Sequence, residues 1–224
     1  MYKRQLEETV EIELLREDGT RVSEDEVLAV LRGSARTLLQ GERTALNLLG
    51  HLSGIATATN EMVQRVAEFG TRIVCTRKTS PGLRSLEKYA VRAGGGFNHR
   101  FGLDDAVLIK ENHIAVAGSI REAITRARSS VGHMVKIEVE VETIVQLKEA
   151  LEFEIDAVLL DNMAVATVRE AVELAKGRVL TEVSGGITPD NVIPLAAAGV
   201  DLLSVGYLTH SSPALDVTFE ILPS

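Results

Sequence analysis

From residue 73 onward, short aliphatic or β-branched runs alternate with longer amphipathic stretches. The runs cover 73–76, 106–110, 135–141, 157–161, 179–183 and 201–205, and helical patterns such as 143–153 and 164–176 lie between most of them. Brief buried strands separated by helices predict a parallel α/β sheet, open or closed into a barrel. A complete eight-fold barrel takes about 250 residues and only about 150 are available here, so an incomplete α/β barrel of six or seven strands is expected.

The first residues follow another pattern. Val10–Leu14 alternates, Asp18-Gly19 marks a turn and Val27–Leu31 is apolar, which predicts two short strands. A lone strand pair is marginal in water, so these strands are expected to need partners beyond this sequence. Residues 35–69 are rich in Ala, Leu, Glu and Arg and read as helical, with a break expected at Ser53-Gly54. No internal repeat or low-complexity segment is evident.

Composition narrows the function. The 224 residues carry 24 basic and 32 acidic side chains, a net charge of −8, which argues against a nucleic-acid binder. An anionic small substrate stays compatible, because a cleft can be locally basic in an acidic protein. Aromatic content is 4% with no Trp, so stacking on bases or sugars is not expected. One Cys excludes an internal disulfide framework and a Cys-rich metal site. No apolar run approaches the roughly 20 residues that span a bilayer, and the mostly polar start does not resemble a signal peptide. A cytoplasmic protein without a membrane partner is expected.

The chemistry sits at the strand ends. The first run leads into Arg77-Lys78-Thr79, the second ends at Lys110, the third carries Glu138 and Glu140, and the fourth ends at Asp161-Asn162. The fifth leads into Ser184-Gly185-Gly186 and the sixth into Gly206. Parallel α/β folds bind ligands at the carboxyl ends of their strands, so these residues should converge. The paired Gly loops after the last two strands suit a phosphate, because glycine lets backbone N–H groups approach its oxygens. Arg43, Arg77, Lys78, His99, Arg100 and Lys110 imply an anionic substrate; Arg36 and Arg65 read as surface charges. Glu140 and Asp161 suit a divalent cation such as magnesium or, instead, sugar hydroxyls. Glu138, Glu140 and Glu142 share a phase, and periodicity does not decide which enters the site. Cys75 reads as a small buried hydrophobe, and His51 and His133 as structural or exposed.

A family resemblance adds to this. Glu42-Arg43-Thr44-Ala45-Leu46-Asn47, Ser53-Gly54-Ile55-Ala56-Thr57 and Thr76-Arg77-Lys78-Thr79 resemble quinolinate phosphoribosyltransferases. So do Pro81-Gly82-Leu83-Arg84, Glu87-Lys88-Tyr89-Ala90, Gly94-Gly95-Gly96 and Asn98-His99-Arg100. The similarity continues through Leu108–His113, Glu138–Val141, Leu160-Asp161-Asn162, Ser184–Ile187, Ser204-Val205-Gly206 and Leu208-Thr209-His210.

The resemblance implies attack of quinolinate on C1 of phosphoribosyl pyrophosphate, with pyrophosphate and carbon dioxide released and nicotinate mononucleotide formed for NAD biosynthesis. It implies that Arg77, Lys78, His99 and Arg100 surround the two carboxylates, with Lys110 between quinolinate and pyrophosphate. Glu140 and Asp161 would hold ribose hydroxyls and magnesium; Ser184, Gly185, Gly186 and Gly206 would bind the 5′-phosphate, with His210 nearby. Arg43 would reach the substrate of a neighbouring subunit in a homodimer or higher homo-oligomer. The family's N-terminal α/β sandwich begins further upstream, so residues 1–34 are expected to be its remnant. Residues 35–70 would be a helical connection, 71–210 the catalytic barrel and 211–224 a segment returning to the N-terminal domain. A molybdenum-associated paralogue and an inactive truncated scaffold are the alternatives. Asn98-His99-Arg100 and Lys110-Glu111-Asn112-His113 favour quinolinate over the former.

Overall fold

The computed structural model describes residues 7–222. Strands β1 (Glu11–Leu14) and β2 (Ala29–Arg32) pair antiparallel, with Glu11 opposite Arg32 and Leu14 opposite Ala29. The turn between them carries Gly19 at φ +80°, and the adjoining Asp18 accepts a 2.8 Å hydrogen bond from Tyr89 Oη. The small sheet's connecting loop is thereby tied to a helix of the larger unit.

Helix α1 (Ala35–Val66) runs 32 residues without interruption, a difference from the break expected at Ser53-Gly54. The glycines serve close packing instead. A Cβ on Gly54 would stand 2.0 Å from the Pro213 carbonyl oxygen, and one on Gly50 would stand 2.7 Å from that of Leu215. The C-terminal segment lies in this groove, where the Leu215 N–H donates to the Gly50 carbonyl at 2.9 Å. A single 3-10 turn (Ala67–Phe69) ends at Gly70 in the left-handed conformation.

Six parallel strands follow: β3 (Arg72–Val74), β4 (Val107–Ile109), β5 (Ile137–Val141), β6 (Ala157–Asp161), β7 (Leu180–Ser184) and β8 (Leu202–Ser204). Their spatial order is β3-β8-β7-β6-β5-β4. The first strand lies beside the last, so the sheet curls round and leaves one seam, between β3 and β4. Phe97 forms a parallel bridge to Val74 on the seam side, and Arg100 donates to the Ala106 carbonyl across it. This is the incomplete six-stranded barrel that the alternation predicts.

Helices α2 (Arg84–Ala93), α3 (Glu111–Ala117), α4 (Ile120–Ser130), α5 (Ile144–Ala150), α6 (Val165–Ala175), α7 (Val192–Ala196) and α8 (Tyr207–His210) complete the chain. Ser119 caps α4, and Thr143 with Gln146 forms a capping box on α5, so each start is fixed by local chemistry. The main core lies between strands and helices: Ile73, Ile137, Val139, Val158, Leu160, Val183 and Leu203 belong to one buried cluster. Strand side chains alternate between faces. The opposite, inward face therefore carries Glu138 and Glu140, Leu159 and Asp161, and Glu182 and Ser184. The barrel interior carries these acids and Ser184 among leucines such as Leu159 because most of the apolar side chains of the strands face the helices.

Candidate active site

At the carboxyl ends of β4 and β5, Lys110 Nζ is hydrogen-bonded to Glu140, which is buried while the lysine is half-exposed. On the next two strands Ser184 Oγ donates to Asp161 Oδ1 at 2.5 Å, and Asn162 Nδ2 donates to Asp161 Oδ2 at 2.7 Å. Both acids thus face inward, each already held by a donor that a ligand could share or replace.

The glycine loop after β7 is shaped for backbone approach. Gly185 has φ +95°, and a Cβ there would meet Asn162 Oδ1 at 2.1 Å. Gly186 has φ +58° with nothing within 4 Å, so its outer side is open. Asn162 itself has φ +52°, a conformation that Asn tolerates better than most residues. Gly206 brings the last loop beside the first: a Cβ there would stand 3.1 Å from His210 Nε2 and 3.3 Å from Lys78 Cδ. Thr209 Oγ1 donates to the Lys78 carbonyl at 2.7 Å, which fixes that closure. Gly206, His210 and Lys78 are therefore gathered at one strand end.

The cationic wall comes from the segments after β3. Arg77 and Arg100 each bury their Nε with no hydrogen-bond partner among the described residues. Burial lowers the Arg100 pKa, and the positive charge of Arg77 lowers it further, against the opposing pull of Asp105 and Glu138. Two guanidiniums that repel one another and leave donors unused form a site for an anion. Arg84 props the Arg77 loop by donating to the Thr79 hydroxyl at 3.0 Å and the Arg77 carbonyl at 3.2 Å.

His99 does not point its ring nitrogens at open space. Its Nε2 lies 3.1 Å from Glu138 Oε2 and 3.4 Å from Glu182 Oε1. Its Nδ1 accepts the Arg100 backbone N–H at 2.8 Å. Burial lowers its pKa, but hydrogen bonding to Glu138 and the charge of Glu182 outweigh that and leave it raised. The Arg100 N–H nevertheless requires a lone pair on Nδ1, so the geometry holds the ring neutral with its proton on Nε2.

Arg43 is not gathered with the others. It stands on α1 with its side chain 76% exposed, 3.9 Å from Glu42. A partly open cavity of about 1290 Å³ opens at the amino ends of the strands, lined there by Lys136, Asp156, Thr181 and Asp201 and further in by His99, Arg100, Glu138 and Glu182, so it reaches the cationic wall from below. The carboxyl ends of the strands carry the convergent charges, and we place the site there.

The comparisons with known proteins decide the family. Residues 55–220 match the family described as "Quinolinate phosphoribosyl transferase, C-terminal domain", and residues 2–53 match the corresponding N-terminal domain. The chain belongs to the quinolinate phosphoribosyltransferase family. A protein of Bacillus subtilis named probable nicotinate-nucleotide pyrophosphorylase [carboxylating] is 50% identical over 216 residues, covering 96% of this chain and 75% of that protein. The nicotinate-nucleotide pyrophosphorylase [carboxylating] of Mycobacterium leprae is 45% identical over 208 residues, covering 92% and 73%. Among solved structures, NadC from Streptococcus pyogenes superposes with a TM-score of 0.91 at 40% identity, covering 96% of this chain and 76% of that one. The nicotinate-nucleotide pyrophosphorylase from Francisella tularensis gives 0.92 at 43%, covering 95% and 76%. The chain thus spans about three quarters of the length of these relatives.

In a quinolinate phosphoribosyltransferase, Glu140 and Asp161 fit magnesium by the chemistry of the pair. Both are carboxylates on neighbouring strands and on one face, since Glu140 lies opposite Leu159, two residues before Asp161. Magnesium keeps several waters and is usually shared between one or two carboxylates and substrate phosphates.

Three functional candidates escaped the sequence. Glu182 is a lone acid in an apolar run. Lys88 and Glu87 sit in an amphipathic helix, where charges normally face water, yet both are buried. Glu87 Oε1 accepts from His51 Nε2 at 2.8 Å, which sets the ring tautomer, and Glu87 Oε2 accepts the Ser80 N–H at 3.1 Å, which gives His51 its structural place. Cys75 is buried in an apolar cluster with Ile55, Ala90 and Val91, as a small hydrophobe would be, and Lys88 Nζ also contacts its Sγ at 3.1 Å.

Proposed function

We propose that this protein transfers the phosphoribosyl group of phosphoribosyl pyrophosphate to quinolinate and releases carbon dioxide, giving nicotinate mononucleotide and pyrophosphate for NAD biosynthesis. The observation that carries the reading is the pair Arg77 and Arg100, close enough for one charge to weigh on the other, whose buried Nε donors have no partner among the described residues. A planar dicarboxylate supplies two anionic groups for two guanidiniums, and charge-assisted contacts of that kind are the strong ones.

The roles then divide by position. Arg77 and Arg100 bind the carboxylates, with Lys78 at the mouth; His99 supports this wall through the Arg100 backbone. Lys110 stands beside the leaving pyrophosphate, where charge develops as the C1–O bond breaks. Glu140 and Asp161 accept from the ribose hydroxyls and would hold magnesium, which supplies positive charge to the leaving group when bound. Ser184, the N–H groups of Gly185 and Gly186, Gly206 and His210 hold the 5′-phosphate. Loss of the 2-carboxylate as carbon dioxide leaves its electron pair on the ring carbon, which then takes up a proton. Arg43, exposed on α1, completes the site of a second copy in a homodimer or larger assembly.

The test is direct. Purified protein given quinolinate, phosphoribosyl pyrophosphate and magnesium should release pyrophosphate and carbon dioxide in equal amounts, and neither without quinolinate. Absence of both products under these conditions overturns the reading.

A further inference from the structure

Beneath the cationic wall lies the one group of three His, Cys, Asp or Glu side chains, among the described residues, whose ligand atoms come within 4.8 Å of one another: His99, Glu138 and Glu182. Glu182 is 2% exposed, and its Oε1, like Glu138 Oε1, has no hydrogen-bond partner among the described residues. Three such groups could be a metal set, but the ring of His99 argues otherwise. A metal on Nε2 would move the ring proton to Nδ1, where the Arg100 N–H already points from 2.8 Å.

Without a cation, two carboxylates this close and this buried cannot both stay ionised cheaply. We propose that Glu182 is a positioning residue of the dicarboxylate site: held as the neutral acid, it leaves Glu138 as the single negative charge below Arg100, and together they fix His99 with its proton on Nε2 and Nδ1 free for the Arg100 amide. The inference rests on the quinolinate reading above.

The surroundings agree. Glu182 faces His99, whose Nε2 is 3.4 Å away, and Glu138, and the Ser204 hydroxyl of β8, which donates to the Val183 carbonyl at 3.2 Å, lowers its pKa. In register it is flanked by Leu159 of β6 and Leu202 of β8, neither of them charged. The charge of Glu138 acts on Arg100, raising its pKa against the effects of burial and Arg77. Burial, then the charge of Glu138, pushes the Glu182 carboxyl up to about 8, against the opposing effects of His99 and Ser204. The cavity that opens at the amino ends of the strands is lined by Glu138 and Glu182 together with His99 and Arg100.

Losing the Glu182 proton would place a second negative charge under the wall and draw a second proton onto His99 at Nδ1, displacing the Arg100 amide. Both changes weaken the hold on a dicarboxylate. Calorimetric titration of quinolinate into the protein between pH 6.5 and 9.5, in steps of about half a unit, should give a steady dissociation constant that rises by up to about tenfold per unit once Glu182 ionises. Glu182→Gln, fixed in the neutral form, should keep the neutral-pH affinity within about threefold and lose the alkaline rise. An unmodified protein whose affinity is flat across the range, or a variant with the same rise, overturns the proposal while leaving the quinolinate reading intact. No binding at any pH overturns that reading itself. Should the variant not fold, the His99 ring nitrogens of the unmodified protein decide by nitrogen NMR: an unprotonated Nδ1 at neutral pH supports the proposal, and a proton on Nδ1 with none on Nε2 overturns it.

Discussion

Lys88 Nζ donates to the carbonyl oxygen of His99 at 2.9 Å from a side chain that is 1% exposed. Its second contact is Cys75 Sγ at 3.1 Å, and among the described residues no carboxylate pairs with it. A buried ammonium without a counter-charge is costly. Here it ties the segment carrying His99 and Arg100 to the strand end carrying Arg77. Lys88→Met keeps the volume and removes the donor. Hydrogen bonds to charged groups contribute about 1.5–3 kcal/mol, so quinolinate should bind tenfold or more weakly. The thermal midpoint should change little, since replacing a buried charge by an apolar side chain is often neutral. Calorimetry and thermal unfolding measured together separate the two effects; unchanged affinity would refute the bracing role.

Arg77→Ala and Arg100→Ala should each raise the quinolinate dissociation constant tenfold or more on the same scale, with the fold intact. The double variant carries more information. Because the charge of Arg77 already weighs on Arg100, removing one relieves the other. The combined loss should therefore fall short of the sum of the single losses. Full additivity in titrations of all three variants would mean the two guanidiniums do not share a ligand.

Much of this was legible in the sequence, for identifiable reasons. Strand positions follow from short apolar runs between amphipathic stretches, and the site follows from charged residues ending run after run. Glu182 was not legible, because a chain read along its length says nothing of what stands across a barrel: its neighbour Glu138 is two strands away. Lys88 was not legible because its helix turns the charged Glu87 and Lys88 inward while the apolar Leu86 and Tyr89 face solvent, the reverse of the usual amphipathic pattern. Gly54 looked like a helix break because the backbone that needs its missing Cβ, at Pro213, lies far downstream. Each miss is a long-range contact that no local window contains.

That last contact gives a prediction of opposite sign to helix propensity. Gly→Ala inside a helix ordinarily stabilises by about 1 kcal/mol. At Gly54 the new methyl would meet the Pro213 carbonyl oxygen at 2.0 Å and the Ala214 backbone at 3.0 Å. Overpacking of this kind costs about 1–3 kcal/mol, so Gly54→Ala should destabilise the protein. Urea unfolding gives the sign, and limited proteolysis should show earlier cleavage after residue 210. A variant more stable than the parent would mean the C-terminal segment does not lie against α1.

Arg43 tests the shared site. It is exposed on α1 and apart from the residues that the barrel gathers. Arg43→Ala and Lys110→Ala should each be inactive alone. Mixed, they should recover up to about a quarter of normal activity at equal ratio, since random exchange makes half the dimers mixed and each of those holds one intact site. Pyrophosphate release across mixing ratios, with sedimentation velocity in parallel, provides the measurement. No recovery from variants that demonstrably exchange subunits would place Arg43 outside the site.

The buried trio also sets how stability responds to pH. Glu182 is raised in the folded protein from 4.5 to about 8, by burial and by Glu138. Between those values the folded state holds a proton that the unfolded chain has released, so stability falls as pH rises through the window and levels off above it. The slope from one such proton is up to about 1.4 kcal/mol per pH unit. Asp156 sets the acid side: burial raises it, but Lys136 and the Ile137 N–H together hold it below 3.8, so its stabilisation is lost only as pH falls through that low value. Chemical unfolding at intervals from pH 4.5 to 9 should therefore give a stability that declines from mildly acid pH toward pH 8. Glu182→Gln should flatten that decline, and the gain of the variant over the parent should grow with pH. A parent whose stability is level or rises between pH 5 and 8, or a variant whose advantage does not change with pH, would show that Glu182 is already ionised in the folded protein.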